Sequence, residues 1–180
     1  MSNTITILKG SNGKPIERVT IEDTRFIFKT NFQGDPRRDE KFGSRECKGN
    51  IIIPEDFAHD LEELGCNVRS TKPDEDGNVE YFVAVKLNFN SWKTPKVYLV
   101  SGDNEPRLLD EVLISEVDAL ADSHSVANVK LVANTYKNDN GQFKTLWIDT
   151  MYVEQSLDDD PFYSYYRQNG QNEPEELPFR

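Results

Sequence analysis

The chain has 180 residues, with 36% hydrophobic, 11% aromatic and 29% charged side chains and a formal net charge of -11, which suits one well-filled domain with solvated extensions and argues against a second core. No run of eighteen apolar residues exists, and MSNTITILKG has neither a basic n-region nor a long apolar h-region, so a soluble, cytoplasmic protein without membrane contact is expected. Cys47 and Cys66 lie far apart without a C-x-x-C pattern, which suits unpaired thiols in a reducing compartment.

Alternating apolar and polar residues predict strands from the start of the chain. TITIL is the first, and IERVTI follows after the turn GSNGKP. In TRFIFKTNF a two-residue period puts Phe26, Phe28 and Phe32 on one face and Arg25 and Lys29 on the other. The loop QGDPRRDEKFGSRE mixes turn formers with basic residues, and CKGNIIIP reads as the next strand. PEDFAHDLEELGCNV changes period. Pro54 suits a first helical turn, Glu55 and Asp56 suit the positive end of the helix dipole, Phe57, Leu61 and Leu64 make one apolar stripe, and Gly65 ends it. After the charged turn STKPDEDGNVE come the strands YFVAVKLNF and KVYLVS, separated by NSWKTP. LLDEVLISEVDALAD, within residues 107–122, has roughly helical spacing and predicts a second helix. VANVKLVANTYK and FKTLWIDTMYVEQ then pair across NDNGQ, whose Asn-Gly is a hairpin signal.

Residues 1–155 therefore form the predicted domain, mostly β with inserted helices (α+β), and residues 156–180 a separate acidic and aromatic segment. There Asp160 and Pro161 suit the start of a short helix in DDDPFYSYY, whereas RQNGQNEPEELPFR lacks apolar periodicity and reads as a disordered tail.

The residues carry no enzyme signature. Phosphate-binding glycine loops, nucleophile elbows and H-E-x-x-H are missing from the sequence. His59 and His124 are the only histidines, and His59 reads as a surface histidine among acids. Cys47, His59 and Cys66 lack the spacing of a zinc site, and Asp74, Glu75, Asp76, Asp110 and Glu111 read as solvated acids rather than ligands for a divalent ion. Neither a metal nor a cofactor is expected.

Charge is uneven along the chain. Residues 1–50 hold ten lysines and arginines against seven acids, residues 51–155 nine against nineteen, and residues 156–180 two against six. Arg37, Arg38, Lys41, Arg45 and Lys48 fall within twelve residues, which allows a local basic patch on an acidic protein. Aromatic and basic residues also interleave: Arg25, Phe28, Lys29 and Phe32 on a strand, Lys41, Phe42 and Arg45 in a loop, Trp92, Lys93 and Lys96 around NSWKTPK, and Tyr136 and Lys137 near a hairpin tip. Single-stranded nucleic acid is held by such a mixture, rings stacking on bases and cations following phosphates. Core packing is the simpler reading for Phe26, Phe28, Trp147 and Tyr152, although Phe28 stays among the candidate DNA contacts. It explains Trp92 poorly, because that residue lies in a loop beside Lys93, Thr94 and Pro95.

As an ordered set, NIIIPEDFAHDLEELGCNV, WKTPKVYLV, LLDE and TLWIDTMYV followed by DDDPF resembles the OB-fold single-stranded DNA-binding proteins of tailed bacteriophages, over most of residues 20–160. The resemblance implies an OB-fold-like antiparallel barrel of five or six strands that presents a concave basic and aromatic surface to DNA and protects exposed strands during phage replication and recombination. By position, the strand at 25–32, the loop at 37–48 and the Trp92 loop would form that surface. It also implies that Glu175, Glu176, Leu177, Pro178 and Phe179 dock replication or recombination proteins and compete with DNA for the cationic cleft, although Arg180 follows the phenylalanine. Exchange of such tails between protomers would give a homo-oligomer. The competing reading is an acidic protein-interaction factor that mimics nucleic acid and inhibits a host protein through the acid-rich block at 51–155.

Overall fold

The computed structural model describes residues 3–10, 13–137 and 140–157. Among these residues ten strands form one mixed sheet, joined by two α-helices and a 3-10 turn at Pro36–Arg38. The strands are β1 (Thr4–Lys9), β2 (Pro15–Thr24), β3 (Phe26–Asn31), β4 (Lys48–Ile53), β5 (Val68–Ser70), β6 (Tyr81–Lys86), β7 (Lys96–Val100), β8 (Arg107–Leu109), β9 (Val126–Lys137) and β10 (Lys144–Gln155), and the helices are α1 (Glu55–Leu64) and α2 (Ser115–Asp122).

The hydrogen-bonded order is β1-β2-β9-β10-β6-β4-β3. Because β3 continues β2 after a single residue, the order returns on itself and the sheet curls around one core. The seam is tied where the Ile52 amide donates to the Arg25 carbonyl at 3.1 Å and the Thr24 hydroxyl donates to the Ile52 carbonyl. Inside lie Val19 and Ile21 of β2, Ile51 and Ile53 of β4, Val83 and Val85 of β6, Val129 and Leu131 of β9, and Leu146, Ile148, Met151 and Val153 of β10. Gly49 is needed within this ring, since a Cβ there would come within 2.6 Å of the Phe32 ring.

Three expectations are corrected. The sheet has ten strands rather than five or six, and it is mixed: one edge of β10 runs parallel to β6 at Leu146 and Trp147 and parallel to β7 from Thr150 to Glu154. The bulge between Ile148 and Thr150 coincides with this change of neighbour. The helix expected over 107–122 is two elements, since Arg107–Leu109 pairs with β7 and helix begins only at Ser115. Nor do Phe26, Phe28 and Phe32 share a face. Between Ile27 and Asn31 strand β3 uses two more residues than β4 opposite it, and Phe28 takes φ 63, so Phe26 and Phe32 meet at a ring distance of 5.3 Å against the core while Phe28 turns outward.

The first helix and the β9–β10 hairpin form as the pattern predicts. Phe57, Ala58 and Leu61 bury the inner face of α1, and Gly65, at φ 107, adopts the left-handed conformation that closes it. Both cysteines are free. No helix among the described residues is long and apolar enough to cross a membrane. The expected short helix at 158–166 and the segment 175–179 lie outside the described residues.

Candidate nucleic-acid interface

Alternation along β4 sends Gly49, Ile51 and Ile53 inward and leaves Lys48 and Asn50 outside. Lys48 pairs with Lys86 of β6, Lys86 with Trp147 of β10, Trp147 with Asn134 of β9, and Asn134 with Arg18 of β2. Directly paired residues share a face, so Lys48, Lys86, Trp147, Asn134 and Arg18 make one row across the outside of five strands. The Lys86 ammonium lies 5.9 Å from the centre of the Trp147 ring, and Arg18 Nε donates to Asn134 Oδ1 at 3.2 Å.

Three depressions follow this row. One of about 510 Å3 lies against β3 and β4 and is lined by Phe28, Lys29, Lys41, Phe42, Lys48 and Asn50 among others. A smaller one, of about 200 Å3, continues past Arg45, Glu46, Lys86, Asn88 and Trp147. The third, about 370 Å3, is bounded by Trp92, Lys93, Asn134, Tyr136, Trp147 and Asp149. Aromatic walls stand at both ends. Phe28 is 60% exposed and packs edge-on against Phe82 with ring centres 5.0 Å apart, while Arg69 sits over Phe82 at 5.1 Å. Phe42 is 78% and Trp92 94% exposed, so neither ring serves the core.

The loops that carry these rings are braced. Asp39 accepts from the amides of Phe42 and Ser44 at 3.0 and 3.2 Å, and Lys41 lies 5.2 Å from the Phe42 ring. The base of this loop is held from α2: fully buried Asp118 accepts from the Thr30 hydroxyl, the Phe32 and Gln33 amides and the Gln33 side chain. On the other side, the Ser91 hydroxyl donates to the Lys93 carbonyl at 2.6 Å, and the Lys93 ammonium reaches Asp149 at 3.0 Å. Ordering before binding lowers the entropy lost on binding.

Carboxylates temper the cations. Glu46 lies 3.4 Å from Lys48 and 3.3 Å from Lys86. Burial would raise its pKa, but the two ammonium groups outweigh that and hold it below its ordinary value. Asp149 behaves alike: burial opposes ionisation, and Lys93 overcomes it.

Of the residues singled out from the sequence, Phe28, Lys29, Lys41, Phe42, Arg45, Lys48, Trp92, Lys93 and Tyr136 line these depressions. Phe32 is corrected: it is fully buried and offers no ring face to a ligand. Arg38 also lines the first depression, but its side chain is only 15% exposed, because its guanidinium donates to the Thr30 carbonyl and, at 2.8 Å, to both oxygens of Asp122. It acts as a brace for the loop. Arg37 is held by Asp35, and Arg25 lies 3.3 Å from Glu80. Lys96 pairs with Thr150, beyond the bulge, and Lys137 pairs with Lys144, on the face opposite Tyr136. The row also holds Lys86, Asn134, Arg18 and Trp147, none of them among the DNA contacts expected from the sequence. The strand register exposes them, and YFVAVK held the signal for Lys86, a cation closing an otherwise apolar strand.

His59 is exposed on α1, 6.4 Å from the Tyr81 ring. Among the described residues, no three His, Cys, Asp or Glu side chains gather closely enough to hold a metal ion.

Over residues 9–168 the chain matches the family described as "Putative phage ssDNA-binding domain". It belongs to that family. A solved structure, the single-stranded DNA-binding protein from bacteriophage Enc34, is similar over 85% of this chain and 90% of its own, at 10% identity and a TM-score of 0.42. No curated protein matches the chain.

Proposed function

We propose that the protein binds single-stranded DNA without strong sequence preference, on the outer face of β4, β6, β9 and β10. Bases stack on Phe28, Trp147, Trp92 and Phe42, and Lys29, Lys41, Lys48, Lys86 and Arg45 follow the phosphates. The carrying observation is the row from Lys48 through Lys86 and Trp147 to Asn134 and Arg18, in which cations and a ring succeed one another across neighbouring strands. Membership in the phage family supports the same reading. Every base has a π-face and every nucleotide a phosphate, so this chemistry is sequence-tolerant, and each stacked base contributes about 1–3 kcal/mol.

The ring of strands reads as an OB-type barrel. The bent pair β2 and β3 acts as its first strand, followed by β4, β6, β9 and β10. The expected surface of such a barrel is the face of its second and third strands with the loops beside them, which here are β4, β6, the 32–47 loop and the β9–β10 turn. Its work is to protect exposed strands during phage replication or recombination in the host cytoplasm, without catalysing a reaction. Glu175, Glu176, Leu177, Pro178 and Phe179 dock protein partners and compete with DNA for the cations.

The test is fluorescence titration with oligo-dT. Binding should quench tryptophan and weaken steeply with salt. No binding at low salt, for the full chain and for a chain ending at 157, would refute it and favour the acidic interaction factor, whose support is the net charge of -11.

A further inference from the structure

A depression of about 660 Å3, larger than the three along the row, lies outside that row on the α2 side of β3. Arg25, Phe28, Lys29, Ala121, Asp122 and His124 are among its lining residues. Phe28 and Lys29 line both this depression and the groove against β4. This shared wall exists because φ 63 at Phe28, within the two-residue excess of β3, lifts the ring off the strand. Such a conformation is costly for a side chain larger than glycine and points to a function where the surroundings maintain it.

We propose that this depression is a further nucleotide subsite, occupied by the part of the DNA strand that passes over Phe28 and leaves the β4 groove. The inference rests on the reading of that groove as a single-stranded DNA interface. Two cations, Arg25 and Lys29, line it together with the His124 imidazole and one carboxylate, Asp122; Arg25 also meets Glu80 at 3.3 Å in an exposed pair. The Asp122 carboxylate is neutralised, since Arg38 donates to both its oxygens at 2.8 Å. With Asp122 engaged by Arg38 and Arg25 shared with Glu80, Lys29, which makes no ion pair among the described residues, is the cation left to meet a phosphate. A nucleotide stacked on Phe28 would place its neighbour's phosphate beside Lys29 and the next base beside His124, which is exposed just after α2. The volume falls within the range of ordinary ligand pockets.

His124 and Ala121 line this depression and none of the three described above, so they separate the two regions. The experiment measures affinity of wild type, His124→Glu and Ala121→Trp for oligo-dT of about 4 and about 12 nucleotides, within the span usual for one OB-type domain, alongside thermal melting of each variant. The short oligonucleotide should bind all three proteins equally, whereas the long one should bind the variants about tenfold more weakly. Wild-type affinity of both variants for the long oligonucleotide would overturn the subsite and leave the groove intact. Equal losses at both lengths with unchanged melting would also overturn it as a separate site. Failure of wild type to bind either length would instead refute the underlying reading.

Discussion

The Lys86 ammonium stands 5.9 Å from the centre of the Trp147 ring, and the two residues are paired across the parallel contact between β6 and β10. A cation and a ring that share one position of the sheet can engage a phosphate and the adjoining base of the same nucleotide. Trp147→Ala should therefore weaken binding of single-stranded DNA by about 5- to 150-fold, the range that about 1–3 kcal/mol per stacked base implies. In a Trp92→Phe background, tryptophan quenching reports Trp147 alone, and it should persist.

Glu46 sits between Lys48 and Lys86 and competes with phosphate for both. Glu46→Gln should raise affinity about three- to tenfold, the scale of one exposed ion pair or somewhat more. If one further phosphate is neutralised, the slope of log affinity against log salt should steepen by about 0.7. Anisotropy titrations at several salt concentrations read both.

Asp118 is fully buried and accepts four hydrogen bonds that hold the end of β3 and the start of the loop. Asp118→Ala leaves those donors without a partner and should cost about 3–5 kcal/mol of stability in urea unfolding. Gly49→Ala, whose added Cβ meets Phe32 at 2.6 Å, should cost about 1–3 kcal/mol by overpacking.

Acid should destabilise the fold. Asp122 is held below its ordinary pKa by hydrogen bonds from Arg38; Glu17, Glu46 and Asp149 are also depressed, because nearby lysines outweigh the opposing effect of burial. A depressed carboxylate stabilises the fold fully above its unfolded pKa, near 4, and that stabilisation is lost as pH falls through the folded value. Unfolding free energy should thus be insensitive to these groups near neutrality and fall progressively below about pH 4, as urea titrations across pH would measure.

The regular elements were legible because their signals are local. Alternation marked β4 and β6, Asn-Gly the closing hairpin, and Gly65 the end of α1. What escaped depends on pairing partners distant in sequence. Nothing in TRFIFKTNF announces the two-residue excess that separates Phe28 from Phe26 and Phe32. Leu109 and Val112 suggested a helix, yet β8 forms because β7 offers an edge. Trp147 stands between Leu146 and Ile148, and a strand apolar on both sides reads as core until its neighbours fix which side faces out. The basic cluster at 37–48 was visible, but it could not reveal that Arg37 and Arg38 are engaged by Asp35 and Asp122.

The most direct test of the outer face as the DNA interface compares labelled oligo-dT with a duplex of equal length, for wild type and for the double variant Phe28→Ala, Trp147→Ala. Wild type should prefer the single strand and lose affinity with salt, and the double variant, with melting close to that of wild type, should bind it at least about 30-fold more weakly. Undiminished binding by the double variant, or a wild-type preference for duplex, would contradict the account.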